Sequence, residues 1–313
     1  MASTSLPPAS FACLWCGRSW TVRSADDLEG YAQLCPDCLG KAGDNPFLRF
    51  RLRAALDARA AVRRPTEVAA AVVADTTPEG REPPDPDAAA EMVAYYEARA
   101  GEYDDWYLRR GRYAHGPIHD AAWNAELDAA GRWLDDLSFP PGRIVELAAG
   151  TGWWSPLLAG KAELWLTDAA PGPLERARER LLAHGLRAHL HVRDAWAEPD
   201  GDPAAGLFAG FWLSHVERDR TAAFLALARR WLAPGGRFAL IDSLPDPQSG
   251  AVDHAPPVGD RSVRRLADGR EFTVVKVHRS GDEITGALAD AGFDRVDVRT
   301  TGRFFVLATA VRP

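Results

Sequence analysis

Apolar positions in this chain follow two periods in turn. Leu48, Leu52 and Leu56 recur at i, i+4 and i+8, which lines one face of a helix. Asn45 is placed to cap that helix and Pro46 to occupy its first turn. Further helices are predicted over 88–100 and 117–137. Beyond residue 141 short apolar runs alternate with amphipathic stretches. Strands are predicted at 144–147, 164–168, 187–192, 207–213 and 237–242, with helices over 171–185 and 218–232 between them. Ser280 and Glu283 form a capping box for a last helix that stops at Gly292. Two strands, 293–300 and 303–311, close the chain about Thr301-Gly302. Regular alternation of strand and helix predicts an α/β domain built on a parallel sheet.

One strand-to-helix junction carries the chemistry. The run Arg143-Ile-Val-Glu-Leu-Ala-Ala-Gly-Thr-Gly-Trp-Trp154 takes an apolar strand into Gly150 and Gly152. Glycines there let the backbone approach a ligand and leave helix N–H groups facing it. Leu164-Trp-Leu-Thr-Asp168 follows, and its acid is placed to accept hydrogen bonds from a ribose diol. A dinucleotide site wants G-x-G-x-x-G. Here Trp153 and Trp154 stand where the third glycine belongs, so NAD fits poorly.

The spacing Glu146-x-Ala148-x-Gly150-x-Gly152 resembles motif I of the class I S-adenosylmethionine-dependent methyltransferases, E/D-x-G-x-G-x-G. Ala148 replaces the first glycine, which is tolerable if the local φ is negative. Leu232-Ala-Pro-Gly-Gly-Arg-Phe238 resembles the turn before strand five of that family, and a terminal hairpin suits its antiparallel seventh strand. The resemblance covers residues 88–313. It implies a seven-stranded, doubly wound Rossmann-like sheet with a C-terminal antiparallel hairpin, and S-adenosylmethionine as cofactor. It further implies cofactor contacts at Glu146, Ala148, Gly150, Thr151, Gly152 and Asp168, and at Asp194 and Ala195 after strand three, where the family's acid holds the adenine amino group. Asp194 also suits the cap of the next turn. Many small-molecule methyltransferases carry an N-terminal helical lid with a tyrosine near the methionine end. By that likeness residues 88–140 are the lid, and Tyr103 and Tyr107 cover cofactor or substrate; both equally suit core aromatics.

Methyl transfer to a neutral acceptor calls for a positioned base. His215 closes strand four at the sheet edge where such sites form, although a histidine packing on the next helix fits the same position. His115, His119 and His254 are weaker candidates. His184, His189 and His191 read as helix-end or strand-surface residues. An insertion over 243–279 interrupts the alternation. It holds His254, Arg261, Arg264, Arg265 and the alternating run Phe272–His278, from which an extra strand, at a homodimer edge, is expected. In related enzymes this region lines the acceptor pocket, which makes His254, Arg261 and the nearby Trp212 substrate candidates. Its cations suit a carboxylate or phosphate on the acceptor, or simply surface charge.

The four cysteines form Cys13-x-x-Cys16 and Cys35-x-x-Cys38, with 18 residues between the pairs. That spacing is a structural zinc signal, four thiolates closing a tetrahedral site, and the module resembles a zinc ribbon. Residues 1–64 form this module with its basic helix, which carries Arg49, Arg53, Arg59, Arg63 and Arg64. The Pro- and acid-rich stretch 65–87 reads as a linker, and 141–313 as the methyltransferase domain.

Net charge sharpens the choice of substrate. The chain carries −7, yet residues 1–64 carry nine Arg/Lys against six Asp/Glu, so the remainder is near −10. An acidic main domain disfavours a polyanion as principal substrate. Neither a secretion signal nor an 18-residue apolar run is evident, which reads as a cytoplasmic protein without a membrane span. The expectation is a methyltransferase for a small-molecule acceptor, with O, N or C as nucleophile. Two alternatives are an RNA or protein methyltransferase with the ribbon as reader, and a non-catalytic regulator that senses a nucleoside.

Overall fold

The computed structural model describes residues 10–12, 18–21, 88–254 and 258–313. The four cysteines, the basic helix from Asn45 and the linker 65–87 lie outside the described residues. The chain divides into two units, Met1–Pro84 and Asp85–Pro313. In the first, β1 (Ser10–Ala12) pairs antiparallel with β2 (Ser19–Thr21).

The second unit is the expected α/β domain. Its sheet comprises β3 (Ile144–Leu147), β4 (Leu164–Asp168), β5 (His189–Val192), β6 (Ala204–Gly210), β7 (Leu232–Ser243), β10 (Asp294–Thr300) and β11 (Phe305–Val311), in the order β10-β11-β7-β6-β3-β4-β5. β3 lies parallel to both β4 and β6, while β11 runs antiparallel to β7 and β10. All four residues of β3 are buried, as a strand covered on both faces requires. The strand order reverses between β3 and β6, so a crevice opens at their carboxyl ends. The helices on the sheet include α4 (Ser155–Ala159), α5 (Pro171–Ala183), α6 (Thr221–Trp231) and α7 (Gly281–Asp290). Ser280 and Glu283 form the full capping box that opens α7. Leu147, Leu207, Phe224, Trp231 and Phe238 belong to the main core cluster. Among the described residues no helix is long and apolar enough to cross a membrane.

Several elements differ from the sequence reading, and three of the differences bear on the site. β6 ends at Gly210 rather than at residue 213, because Phe211 turns into the left-handed region (φ 59°) and Leu213–His215 form a 3₁₀ turn. β7 begins at Leu232, and Pro234-Gly-Gly236 is absorbed as a register shift in its pairing with β6. The alternating run of the insertion pairs within its own unit. β8 (Arg261–Arg265) and β9 (Glu271–Val275) form a separate antiparallel hairpin.

α1 (Ala88–Arg99), α2 (Tyr103–Leu108) and α3 (Pro117–Asp136) precede the sheet. α1 buries Met92 and Tyr95 against Leu266 and Val274 of the insertion. The helical segment and the insertion thus form one wall above the carboxyl ends of the strands.

Candidate active site

The turn after β3 is held by three left-handed residues, Ala148 (φ 48°), Gly150 (φ 55°) and Gly152 (φ 70°). The condition under which alanine is tolerable there, a negative φ, is therefore not met. The two glycines serve different needs. A Cβ on Gly150 would lie 3.2 Å from Cζ and Oη of Tyr103, so its absence keeps the backbone open toward the cleft. A Cβ on Gly152 would lie 2.7 Å from Cβ of Ala177, so its absence lets α5 pack on the turn.

Asp168, at the end of β4, reaches back across this turn. The Gly150 N–H donates to its Oδ2 at 2.8 Å and the Ala170 N–H to its Oδ1 at 2.9 Å. Even so, burial raises its pKa to about 6. This is a carboxylate with fewer donors than its burial demands. A ribose diol offers two O–H donors of the kind that corrects such a deficit, and a cleft lies above Asp168. It is lined by Ala148, Gly150, Ala169, Ala170, Asp194 and Trp196, among others. Asp194 also caps its own turn, accepting from the Trp196 N–H at 2.8 Å. Ala195, Trp212 and Tyr103 line the same cleft.

Four of the expected cofactor residues do not line the cleft: Gly152, which packs against α5, and Glu146, Thr151 and Tyr107. Glu146 is 1% exposed and accepts a 2.6 Å hydrogen bond from Ser155 Oγ, and burial pushes its pKa up to about 8. Thr151 Oγ1 donates to Asp104 at 2.7 Å. Tyr107 is buried and stacks on Trp153, with ring centroids 4.1 Å apart and planes within 4°. It is a core aromatic that braces the turn from below.

A larger cavity of about 460 Å³ adjoins the cleft and shares Tyr96, Tyr103, Phe211 and His215 with it. His215 is fixed at both ring nitrogens: Nδ1 lies 2.6 Å from the Val275 carbonyl and Nε2 lies 2.7 Å from Tyr96 Oη. A carbonyl only accepts, so Nδ1 carries the proton and Nε2 accepts from the Tyr96 hydroxyl. Burial, helped by Lys276, holds the His215 pKa well below the ordinary imidazole range. Buried Arg279 fixes the turn that carries this histidine, donating to the carbonyls of Leu213 and Val216 at 2.7 Å each.

The other nominated residues divide. His254 lines the larger cavity. Arg261 lines neither space and pairs with Glu217 at 2.8 Å. His115 contacts the Gly250 carbonyl at 2.9 Å, and His119 is buried beside Asp120. Among the described residues no group of three or more His, Cys, Asp or Glu side chains is placed to hold a metal.

The site also holds residues that the sequence did not single out: Tyr96 and Arg99 of α1, Tyr113, Ser249 and Lys276. The first two lie on the helix face that carries Met92 and Tyr95, where an arginine in the last turn reads as a cation facing the helix C-terminus. A Tyr-Tyr pair followed by a charged residue on an otherwise apolar face was the available signal.

With the geometry in view, comparison with known proteins is informative. Residues 144–236 match the family model described as a methyltransferase domain. The chain is 28% identical over 173 residues to a ubiquinone/menaquinone biosynthesis C-methyltransferase, UbiE, of Bordetella parapertussis. That match covers 50% of this chain and 65% of the relative, so the chain spans just under two thirds of that relative's length. A UbiE of Yersinia pestis is 29% identical over 174 residues, covering 49% of this chain and 67% of that one. Among solved structures, the DhpI-SAM-HEP complex superposes with a TM-score of 0.55 at 30% identity, over 72% of this chain and 98% of that one. The DhpI-SAH complex gives a TM-score of 0.54 at 30% identity, over 71% and 96%.

Proposed function

The chain belongs to the class I S-adenosylmethionine-dependent methyltransferases, and from that premise we propose that it methylates a small molecule held in the larger cavity. The observation that carries this reading is the junction of the two spaces. A cleft over Gly150 and Asp168 opens through Tyr96, Tyr103, Phe211 and His215 into a chamber of about 460 Å³. A donor in the first and an acceptor in the second meet at those four side chains.

When bound, S-adenosylmethionine supplies an electrophilic methyl on a sulfonium, and the thioether that departs is neutral and needs no proton. The protein's work is to align, to exclude water and to receive a proton. With the cofactor bound, Asp168 would accept from the ribose hydroxyls, and Asp194 would hold the base. Tyr103 closes over Gly150, and the Tyr96–His215 pair is the proton path. An acceptor X–H passes its proton to Tyr96 Oη as the phenolic proton moves to His215 Nε2, leaving Nδ1–H on the Val275 carbonyl. His254 lines the larger cavity and, with the insertion wall, faces the acceptor. The Cys13, Cys16, Cys35, Cys38 set holds a structural zinc in this proposal, apart from the reacting groups.

Calorimetry and methyl transfer test the reading together. S-adenosylhomocysteine saturates the cleft and NADH does not. Asp168→Ala weakens the former by roughly 1–3 kcal/mol, the cost of losing charged hydrogen bonds in a buried site. His215→Ala slows transfer to a metabolite panel while leaving cofactor affinity unchanged. Saturation by NADH but not by S-adenosylhomocysteine overturns the proposal.

A further inference from the structure

The larger cavity is lined by an excess of hydrogen-bond donors and cations. Arg99 is 8% exposed, and among the described residues its guanidinium has neither an ion pair nor a hydrogen bond, its Nε being buried without a partner. It is held instead by aromatic faces, with its central carbon 4.6 Å from the ring centre of Tyr103 and 5.6 Å from that of Tyr113. The buried hydroxyls of Tyr113 and Ser249 also lack partners, and both residues line the same cavity. Arg264 enters from β8, its Nη1 3.0 Å from His254 Nδ1, and Lys276 enters from beyond β9, its Nζ 2.9 Å from Ser214 Oγ. Burial lowers the pKa of Lys276 to about 8 and that of His254 to about 4, in surroundings short of negative charge.

The carboxylates nearby do not offset this. Asp246 lines the wall but pairs with Arg303 at 2.5 Å and accepts from the Gln248 N–H. Asp242 lies behind Lys276 and is taken up by the N–H groups of Ser214 and Ser243 at 2.8 and 2.7 Å. Three cations from three separate segments therefore converge on one chamber, together with two unsatisfied hydroxyls. Burying a cation without a counter-charge is costly, so such an arrangement is intelligible where a ligand completes it.

We infer that the acceptor carries a small oxyanion, a carboxylate or a phosphoryl group, bound between Arg99, Arg264 and Lys276, with Tyr113 and Ser249 donating to its oxygens. The inference rests on the methyltransferase reading for its role, and on the cavity alone for the anion. It also bears on the weak basicity of His215, which burial depresses first and Lys276, Arg264 and Arg99 depress further. A bound anion offsets the part of that depression that the cations cause, so the proton affinity of the histidine rises when an acceptor is in place.

The test is calorimetry on the full chain at fixed ionic strength, with inorganic phosphate and acetate titrated separately, with and without saturating S-adenosylhomocysteine. At least one anion binds, and its affinity falls roughly tenfold or more in Arg99→Gln and Arg264→Gln, as expected when a charged hydrogen bond is lost. It is unchanged in Arg178→Gln, whose side chain pairs with Glu175 on the surface. Binding of phosphate alone assigns a phosphoryl acceptor, and binding of acetate alone a carboxylate. Should Arg99→Gln fail to fold, Arg264→Gln and Lys276→Gln carry the comparison. Binding of neither anion while S-adenosylhomocysteine still binds, or anion binding indifferent to these substitutions, overturns the inference. Loss of S-adenosylhomocysteine binding with anion binding intact instead sinks the methyl-transfer reading, and with it the acceptor role.

Discussion

Glu146 shows how a buried acid at a motif position acts without touching a ligand. It sits on β3 at 1% exposure, and Ser155 Oγ is its hydrogen-bond donor. Burial raises its pKa from 4.5 to about 8, so the side chain is mostly neutral near pH 7. A folded-state pKa above the unfolded one favours the protonated form on folding. That contribution is fully present below the unfolded value and is lost as pH rises through about 8. Glu146→Gln keeps the shape and removes the titration. Wild type is therefore expected to lose stability relative to this variant between about pH 5 and pH 9, by a few kcal/mol at most. Urea unfolding across that range measures the difference, and a gap that does not change with pH would refute the assignment. Asp168 follows the same logic with a smaller displacement, because two backbone N–H groups already favour its charged form.

At the scale of elements, the β3-to-α4 turn stores a cost that its sequence only half reveals. Ala148 occupies the left-handed region at φ 48°, where a Cβ is disfavoured by about 1 kcal/mol or more. Ala148→Gly relieves that strain at the expense of a more flexible unfolded chain, for a net gain of about 0.5–1 kcal/mol. In a domain of this size that corresponds to a rise in Tm of roughly 1–4 °C by calorimetry, and a fall would show the turn to be unstrained. The order of strands and helices was legible because each element carries its own period and its own stop: Gly185 after α5, the Ser280–Glu283 box before α7. Strand ends were less so. β6 stops at Gly210 because Phe211 is forced to positive φ, with its N–H donating to the Ile241 carbonyl at 2.7 Å, a contact made by the neighbouring strand. The Gly150–Asp168 pairing was legible because a glycine turn and an acid one strand later are local features. The Tyr96–His215 bond joins residues 119 positions apart, and Arg99 on α1 and Arg264 on β8 come together only when the insertion hairpin docks on α1. No local pattern announces such convergence.

At the scale of the whole molecule, charge and site point in opposite directions. Residues beyond 64 carry close to −10, yet the larger cavity is lined by cations. The potential inside a low-dielectric chamber is set by the groups in its wall, so an acidic surface does not preclude a cationic pocket and does discourage large polyanions from the exterior. The two units divide the chemistry just as sharply. Every residue named in the cleft and cavity lies within Asp85–Pro313, while all four cysteines lie within Met1–Pro84. In the zinc site proposed for those cysteines, four thiolates would leave no open position for a substrate, and in a module of that size the metal's binding energy would become folding energy. A high-affinity chelator should therefore release about one zinc per chain, as measured by elemental analysis, and unfold the cysteine module. Affinity for S-adenosylhomocysteine should stay within about twofold, because the residues described as lining the cleft all lie within Asp85–Pro313. A tenfold or greater loss of cofactor affinity on metal removal would show that the two units work as one.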